Sequence, residues 1–180
     1  KNFINNYKNN KYLKCRVDIA DRKKVFKWIK DLNFDIFLHF ASIVPIAKVN
    51  QNKKKAYKVN YLGTKNIIDA LIKYNKKIWF FYASTSHVYG YKKNLYKFKE
   101  TDKVYPLNFY GKTKLLSENY IKKTVNTKKI NYCIGRIFSF TDAYQKNSFF
   151  IPSIFQKIFN SKNKKIIFKN TNCFRDFIYI

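Results

Sequence analysis

Tyr110-Gly-Lys-Thr-Lys114 sets a phenol and an ammonium four residues apart, and Thr85, inside the run Ser84-Thr85-Ser86, stands 25 positions before the phenol. On a helix, side chains four apart project from one face. A phenol with its ordinary pKa of about 10 is a poor base at pH 7. A nearby cation favours the phenolate and lowers that pKa. Lys114 would supply the cation, and the Thr85 hydroxyl could hold a substrate oxygen while Tyr110 takes or returns its proton. The spacing alone does not establish this. In a chain with 15 Tyr and 38 basic residues, Tyr-x-x-x-Lys arises by chance, and such a pair can simply be solvated.

The elements around these residues decide. Ile78 to Ala83 is too short for a helix and rich in aromatics, so it reads as a buried strand. Thr85 then lies at the carboxyl end of that strand, where open α/β sheets place their ligands. A helix carries Tyr110 and continues to about Lys123, with Leu115, Leu116, Tyr120 and Ile121 as its apolar positions. Upstream, Tyr12 to Val17 is a short strand candidate. Asp21 is a helix N-cap for Arg22 to Leu32, where Val25, Phe26, Ile29 and Leu32 recur at helical spacing. Phe34 to Phe40 reads as a strand ending in Ala41-Ser42, and Pro45 marks the loop after it. A helix is expected over Lys54 to Tyr74, with Asn60 and Gly63 inside it. Asn131 to Phe140 is a strand, Ile151 to Phe159 a short helix with Pro152 in its first turn, and Lys165 to Phe168 and Phe174 to Ile180 are strands.

Strands alternating with helices of 10–20 residues predict an α/β fold with a parallel sheet wound on both sides. The 180 residues suffice for a packed core, and with 46% apolar and 19% aromatic residues the composition is not that of a disordered chain. The formal net charge of +28 invites a nucleic-acid or anionic-membrane reading. Yet only Arg16, Arg22, Arg136 and Arg175 among the basic residues are arginines, the side chain favoured for base readout and phosphate clamps. The basic residues are spread along the chain, and the dominant residues Lys, Asn, Ile, Phe and Tyr all have A/T-rich codons. Genome composition accounts for the charge more simply, so neither nucleic acid nor membrane is expected as a partner. Cys15, Cys133 and Cys173 are too far apart for a zinc pattern and odd in number for a disulfide framework, so reduced thiols in a cytoplasmic protein and no metal are expected.

Seven segments, taken in order, resemble the extended short-chain dehydrogenase/reductase family, in its NAD-dependent epimerase/dehydratase branch acting on nucleotide sugars. They are VDIAD (17–21), HFAS (39–42), VNYLGTKN (59–66), ASTSHVYG (83–90), YPLNFYGKTKLLSE (105–118), GRIFS (135–139) and RDFIYI (175–180). The resemblance implies a Rossmann-like doubly wound parallel sheet. With Gly only at 63, 90, 111 and 135, the chain has no Gly-rich phosphate turn. The first strand and that turn are therefore expected upstream of Lys1, in a longer protein. A partial NAD(P)-binding domain would cover 1–148, and 149–180 would begin a small substrate-binding region.

The resemblance also implies roles. Thr85, Tyr110 and Lys114 match the catalytic set, with Tyr110 as acid/base and Lys114 also binding the nicotinamide ribose. Asp18 and Ile19 resemble the pair meeting the adenine ring, Phe40, Ala41 and Ser42 the strand end lying against the cofactor, and Asn60 a helix residue holding geometry near the lysine. Ser86, His87, Ser139 and Arg175 fall at substrate positions, Arg175 suited by its fork of donors to gripping a diphosphate. His39 reads as a core residue. The implied cofactor is NAD or NADP, the implied substrate a nucleotide-diphosphate sugar, and the implied assembly a homodimer through the helices at 54–74 and 107–123. Dehydratases of this branch often carry an acid pair, or at least a Glu, after the catalytic Thr, where this chain has Ser86 and His87. That favours an epimerase or 4-ketoreductase over a 4,6-dehydratase. Ser139 replaces the usual Asn, and FTDAYQ (140–145) the usual Gly-Pro. A non-catalytic basic α/β binding protein is the competing reading.

Overall fold

The computed structural model describes residues 16–44, 46–90, 97–126, 130–147, 149–161, 165–168 and 177–179. Three strands, β1 (Ile36–His39), β2 (Trp79–Thr85) and β3 (Asn131–Ile137), pair in parallel in that order. The register sets Phe37 beside Phe80 and Tyr132, and His39 beside Tyr82 and Ile134. Helices α1 (Arg22–Asp31), α4 (Thr64–Lys73) and α5 (Phe109–Asn126) cover this face. Its core joins Val25, Ile29, Ile67, Ile68, Leu71, Phe80, Tyr82, Ile121 and Val125. The alternate residues Ile36, Leu38, Trp79 and Cys133 point to the opposite face and are exposed. The expected parallel α/β fold is the one observed.

Local rules account for most boundaries. Asp21 caps α1 by accepting from the Lys24 amide at 3.1 Å. Asn108 caps α5: its Oδ1 accepts from the Gly111 amide at 2.8 Å. Gly90 has a φ of 79°, the left-handed region that glycine adopts without strain.

Several expectations need correcting. The helix expected over Lys54 to Tyr74 is three pieces in one rod: α3 (Lys53–Tyr57), a π-helical turn (Lys58–Gly63) and α4. A further helix, α2 (Ile46–Gln51), lies in the stretch read as loop after Pro45. The strand expected over Asn131 to Phe140 breaks at Phe138, and β4 (Ser139–Thr141) leaves the main sheet to pair in parallel with β5 (Phe177–Tyr179). Lys165 to Phe168 is not strand. Of the Tyr12 to Val17 candidate, Arg16 and Val17 are not strand and the rest lies outside the described residues. α6 (Phe150–Asn160) forms as expected, with none of its residues fully buried. Among the described residues no helix is long and apolar enough to cross a membrane.

Candidate active site

The carboxyl ends of β1 and β2 meet the first turns of α5, and Thr85, Ser42, Tyr110 and Lys114 come together there. Thr85 ends β2 in an extended conformation, and its hydroxyl accepts from the His87 amide at 3.3 Å. The Thr85 and Ser42 hydroxyls lie beside the Tyr110 phenol, where both favour its ionised form. Burial is stronger and raises the phenol above its ordinary value. Ser42 Oγ is itself buried and has no partner besides that phenol. A buried hydroxyl with no other partner is uncommon and calls for an explanation, to which a ligand atom would answer.

Lys114 is 2% exposed and has no hydrogen-bond partner among the described residues. Its ammonium sits 4.3 Å from the Tyr82 ring centroid. The lysine expected to lower the Tyr110 pKa thus rests over a different ring. Desolvation pulls Lys114 down to about 8, against the opposing charge of Glu118. The Tyr82 hydroxyl, buried and without a hydrogen bond, is pushed well above the ordinary phenol range by burial.

Asn60 ties the site together. Its Oδ1 accepts from the Ile43 amide at 2.8 Å, and its Nδ2 donates to the Ile43 carbonyl at 3.2 Å and to Thr113 Oγ1 at 3.3 Å. Thr113 Oγ1 donates in turn to the Tyr110 carbonyl at 2.8 Å. Asn60 therefore fixes the segment carrying Ser42 against the helix carrying Tyr110. Asn60 lies inside the π turn and is buried there. The hydroxyls of Thr64 and Ser117 donate to the Asn60 carbonyl at 2.8 and 2.9 Å. π turns of this kind are frequent at functional sites.

His39 is the core residue expected. Since Thr64 Oγ1 donates to Asn60, it accepts from His39 Nε2 at 2.9 Å. Burial holds this imidazole neutral, its pKa lowered to about 3. His87 is exposed, with its ring edge-on to Tyr110 at 5.9 Å. The Asn108 oxygen is used in the helix cap, so the Asn108 amide faces His87 Nδ1 at 3.2 Å and donates to it. Nδ1 is then the acceptor, and the ring proton sits on Nε2.

The remaining expected residues scatter. Asp18 is exposed and closes its own turn by accepting from the Ala20 amide at 3.0 Å. Ile19 packs against Gly63, where an added Cβ would come within 2.7 Å of the Ile19 side chain. Phe40 and Ala41 are exposed, with Phe40 beside the Phe81 ring at 5.5 Å. Ser86 follows Thr85 in a 3-10 turn (Ser86–Val88). Ser139 opens β4 and makes no hydrogen bond to Thr85, Tyr110 or Lys114 among the described residues. Arg175 lies outside the described residues.

Sequence reasoning missed a buried ion pair behind the site. Glu118, fully buried, accepts from Arg136 Nη2 at 2.8 Å and from Arg136 Nε at 3.2 Å, and Ser84 Oγ also donates to it. The pair holds the Arg136 guanidinium protonated, its pKa raised. Two signals were present: Glu118 is the single acidic residue of α5, and Arg136 is one of few arginines.

Known proteins share this arrangement of elements. The family model described as GDP-mannose 4,6 dehydratase matches residues 2–180. The UDP-glucose 4-epimerase of Mycoplasma genitalium is 26% identical over 98% of the chain, which spans 59% of that relative's length. The UDP-glucose 4-epimerase of Thermotoga maritima, solved with UDP-glucose, superposes with a TM-score of 0.79 at 21% identity, covering 91% of this chain and 53% of that one. The UDP-glucose 4-epimerase of Thermus thermophilus, solved in complex with NAD, gives 0.67 at 21% identity, covering 73% and 42%. A match along nearly the whole length, on a parallel sheet whose strand ends gather the hydroxyls, the phenol and the lysine, has one meaning: the chain belongs to the extended short-chain dehydrogenase/reductase family, in its NAD-dependent epimerase/dehydratase branch.

Proposed function

We propose that the intact protein is an NAD(P)-dependent nucleotide-sugar 4-epimerase, with Tyr110 as its acid/base. The carrying observation is the convergence of Thr85 and Ser42 hydroxyls on the Tyr110 phenol, beside a buried ammonium with no hydrogen-bond partner among the described residues. The Ser42 hydroxyl, apart from that phenol, and the Lys114 ammonium are donors left unused, which suits the hydroxyl-rich face of a dinucleotide. Lys114 and Ser42 would hold that group, with the exposed strand end at Phe40 and Ala41 open to its ring. The bound nicotinamide supplies hydride acceptance and return, and its oxidised form adds the positive charge that favours the phenolate. Tyr110 Oη takes the proton of the sugar hydroxyl, Thr85 Oγ steadies the same oxygen, and Tyr110 gives the proton back after the opposite face has been reduced.

Elimination of water requires an acid for the departing hydroxyl. No carboxylate stands in the turn after Thr85, and both oxygens of Glu118 are taken by Arg136 and Ser84. This favours epimerisation or 4-keto reduction over 4,6-dehydration. The test is to incubate the intact protein with UDP-glucose and NAD and follow the sugar by proton NMR. Appearance of the 4-epimer is expected. A 4-keto-6-deoxy sugar would make it a dehydratase, and an unchanged sugar with no NADH binding would leave the non-catalytic reading.

The homodimer belongs to the same proposal. Tyr57, Tyr61 and Tyr120 form an aromatic row across α3, the π turn and α5, at 5.2 and 6.4 Å between successive rings, with Leu116 43% exposed on α5. Light scattering of the intact protein should give twice the chain mass, and L116E should halve it. A wild-type protein that is already monomeric would remove this part.

A further inference from the structure

Lys114 and Glu118 are one turn apart on α5, both buried, and carry opposite charges. Lysine and glutamate at this spacing are close enough to pair, less well with the lysine first, as here, than with the glutamate first. Here they do not. Both Glu118 oxygens are occupied, one by Ser84 and both by Arg136 from β3, while the ammonium lies over the Tyr82 ring. Arg136 is further held by the Glu100 carbonyl at 3.4 Å and by the Tyr89 face at 4.7 Å.

Replacing a buried ion pair by apolar residues is often neutral for stability, so this pair calls for a role beyond holding the fold. We infer that Arg136 and Ser84 are positioning residues for Lys114: by occupying Glu118 they keep it from capturing the ammonium, while its negative charge still supports the ammonium from one turn away. The inference rests on the reading above only in taking Lys114 as ligand-facing.

The groups around the ammonium make Glu118 decisive. His39 on β1 is neutral, and its own low value reflects the Lys114 charge as well as burial. Tyr82 on β2 and Tyr110 on α5 are held neutral by burial. Arg136 on β3 is positive and reaches the lysine only through Glu118. Among these groups Glu118 alone carries negative charge.

Two substitutions should then act in opposite directions on one titration. E118Q removes the supporting charge, so the Lys114 midpoint should fall from about 8 by about one unit. R136Q releases the carboxylate to pair with Lys114, so the midpoint should rise by about one unit and NADH affinity should fall about tenfold.

The readout is the pH titration of the Lys114 side-chain carbon in intact protein labelled with 13C-lysine, assigned by its loss in K114R. Opposite shifts support the inference. Shifts in the same direction, or a lower melting temperature with neither midpoint moved, would overturn it and leave a structural ion pair. Should R136Q fail to fold, S84A removes one of the two donors on Glu118 Oε1, leaving Arg136 Nε on it, and should also move the midpoint up, by less than R136Q does. Should E118Q fail, E118Q/R136Q should still move it down, and an unmoved midpoint in either counts against the inference. NADH fluorescence titration of the wild type judges the cofactor reading separately, because the lysine titration needs no ligand.

Discussion

Tyr110→Phe in the intact protein should cut turnover of the nucleotide sugar about 10²–10⁴-fold, the usual contribution of one positioned acid/base. That loss is about 3–5 kcal/mol of barrier. Melting temperature and NADH affinity should hardly change. The substitution keeps the ring, which is buried against Val49 and Ala56, and removes one oxygen. Thr85 and Ser42 are the hydroxyls beside that oxygen. The residual rate belongs to the positioned cofactor and substrate. Rate measurement and calorimetry on the same preparation decide the matter: near wild-type turnover in a folded variant would mean that Tyr110 is only core.

The second large effect is expected from Gly111→Ala. Helix propensity alone predicts a gain of about 1 kcal/mol, since alanine outranks glycine in a helix interior. The surroundings predict the reverse. A Cβ on Gly111 would stand 2.5 Å from the His87 carbonyl oxygen and 3.1 Å from Pro106 Cβ. The first obstacle is backbone and cannot rotate away. Either α5 or the turn after Thr85 must retreat by most of an ångström, and overpacking of this kind costs about 1–3 kcal/mol. The melting temperature should fall by several degrees. Turnover should fall further, about 10²-fold, because the neighbouring residue is Tyr110 and misplacement of about 1 Å is enough for that. A variant as stable and as fast as wild type would show that the two segments are not in contact in solution.

The sequence makes some of this legible and hides the rest for definable reasons. Asp21 and Pro152 are local signals, and the helices they open form where expected. The aromatic run before Thr85 is a β-strand for local reasons as well, so the residues around Thr85 suffice to place it at a strand end. The π turn has no periodic signature: its apolar positions look like those of any helix, and the asparagine inside it has partners that lie 17 and 53 residues away. The Glu118–Arg136 pair is hidden for the same reason, since its members sit on a helix and a strand that only folding brings together. Spacing gives the face of a helix but not where a four-carbon stem comes to rest, so nothing in Tyr-x-x-x-Lys points Lys114 at Tyr82 rather than Tyr110. Helix α2 escapes detection because six residues give too short a window for a period. Roles borrowed from the family for Asp18, Ile19, Ser86, Ser139 and Arg175 remain proposals.

The π turn over Lys58–Gly63 also constrains how this chain can be altered. A wide turn accommodates one residue more than regular winding would, so the rod has a fixed arithmetic. Deleting a single codon there would restore ordinary winding and leave the residues beyond it on the same face, whereas deleting one in the regular α-helical part of the rod would rotate them by about 100°. In that second case Ile67, Ile68 and Leu71 would swing out of the core, and the Thr64 hydroxyl would leave His39. Grafts and loop-shortening designs between Asn52 and Thr64 can therefore change length by one residue only at the π turn itself.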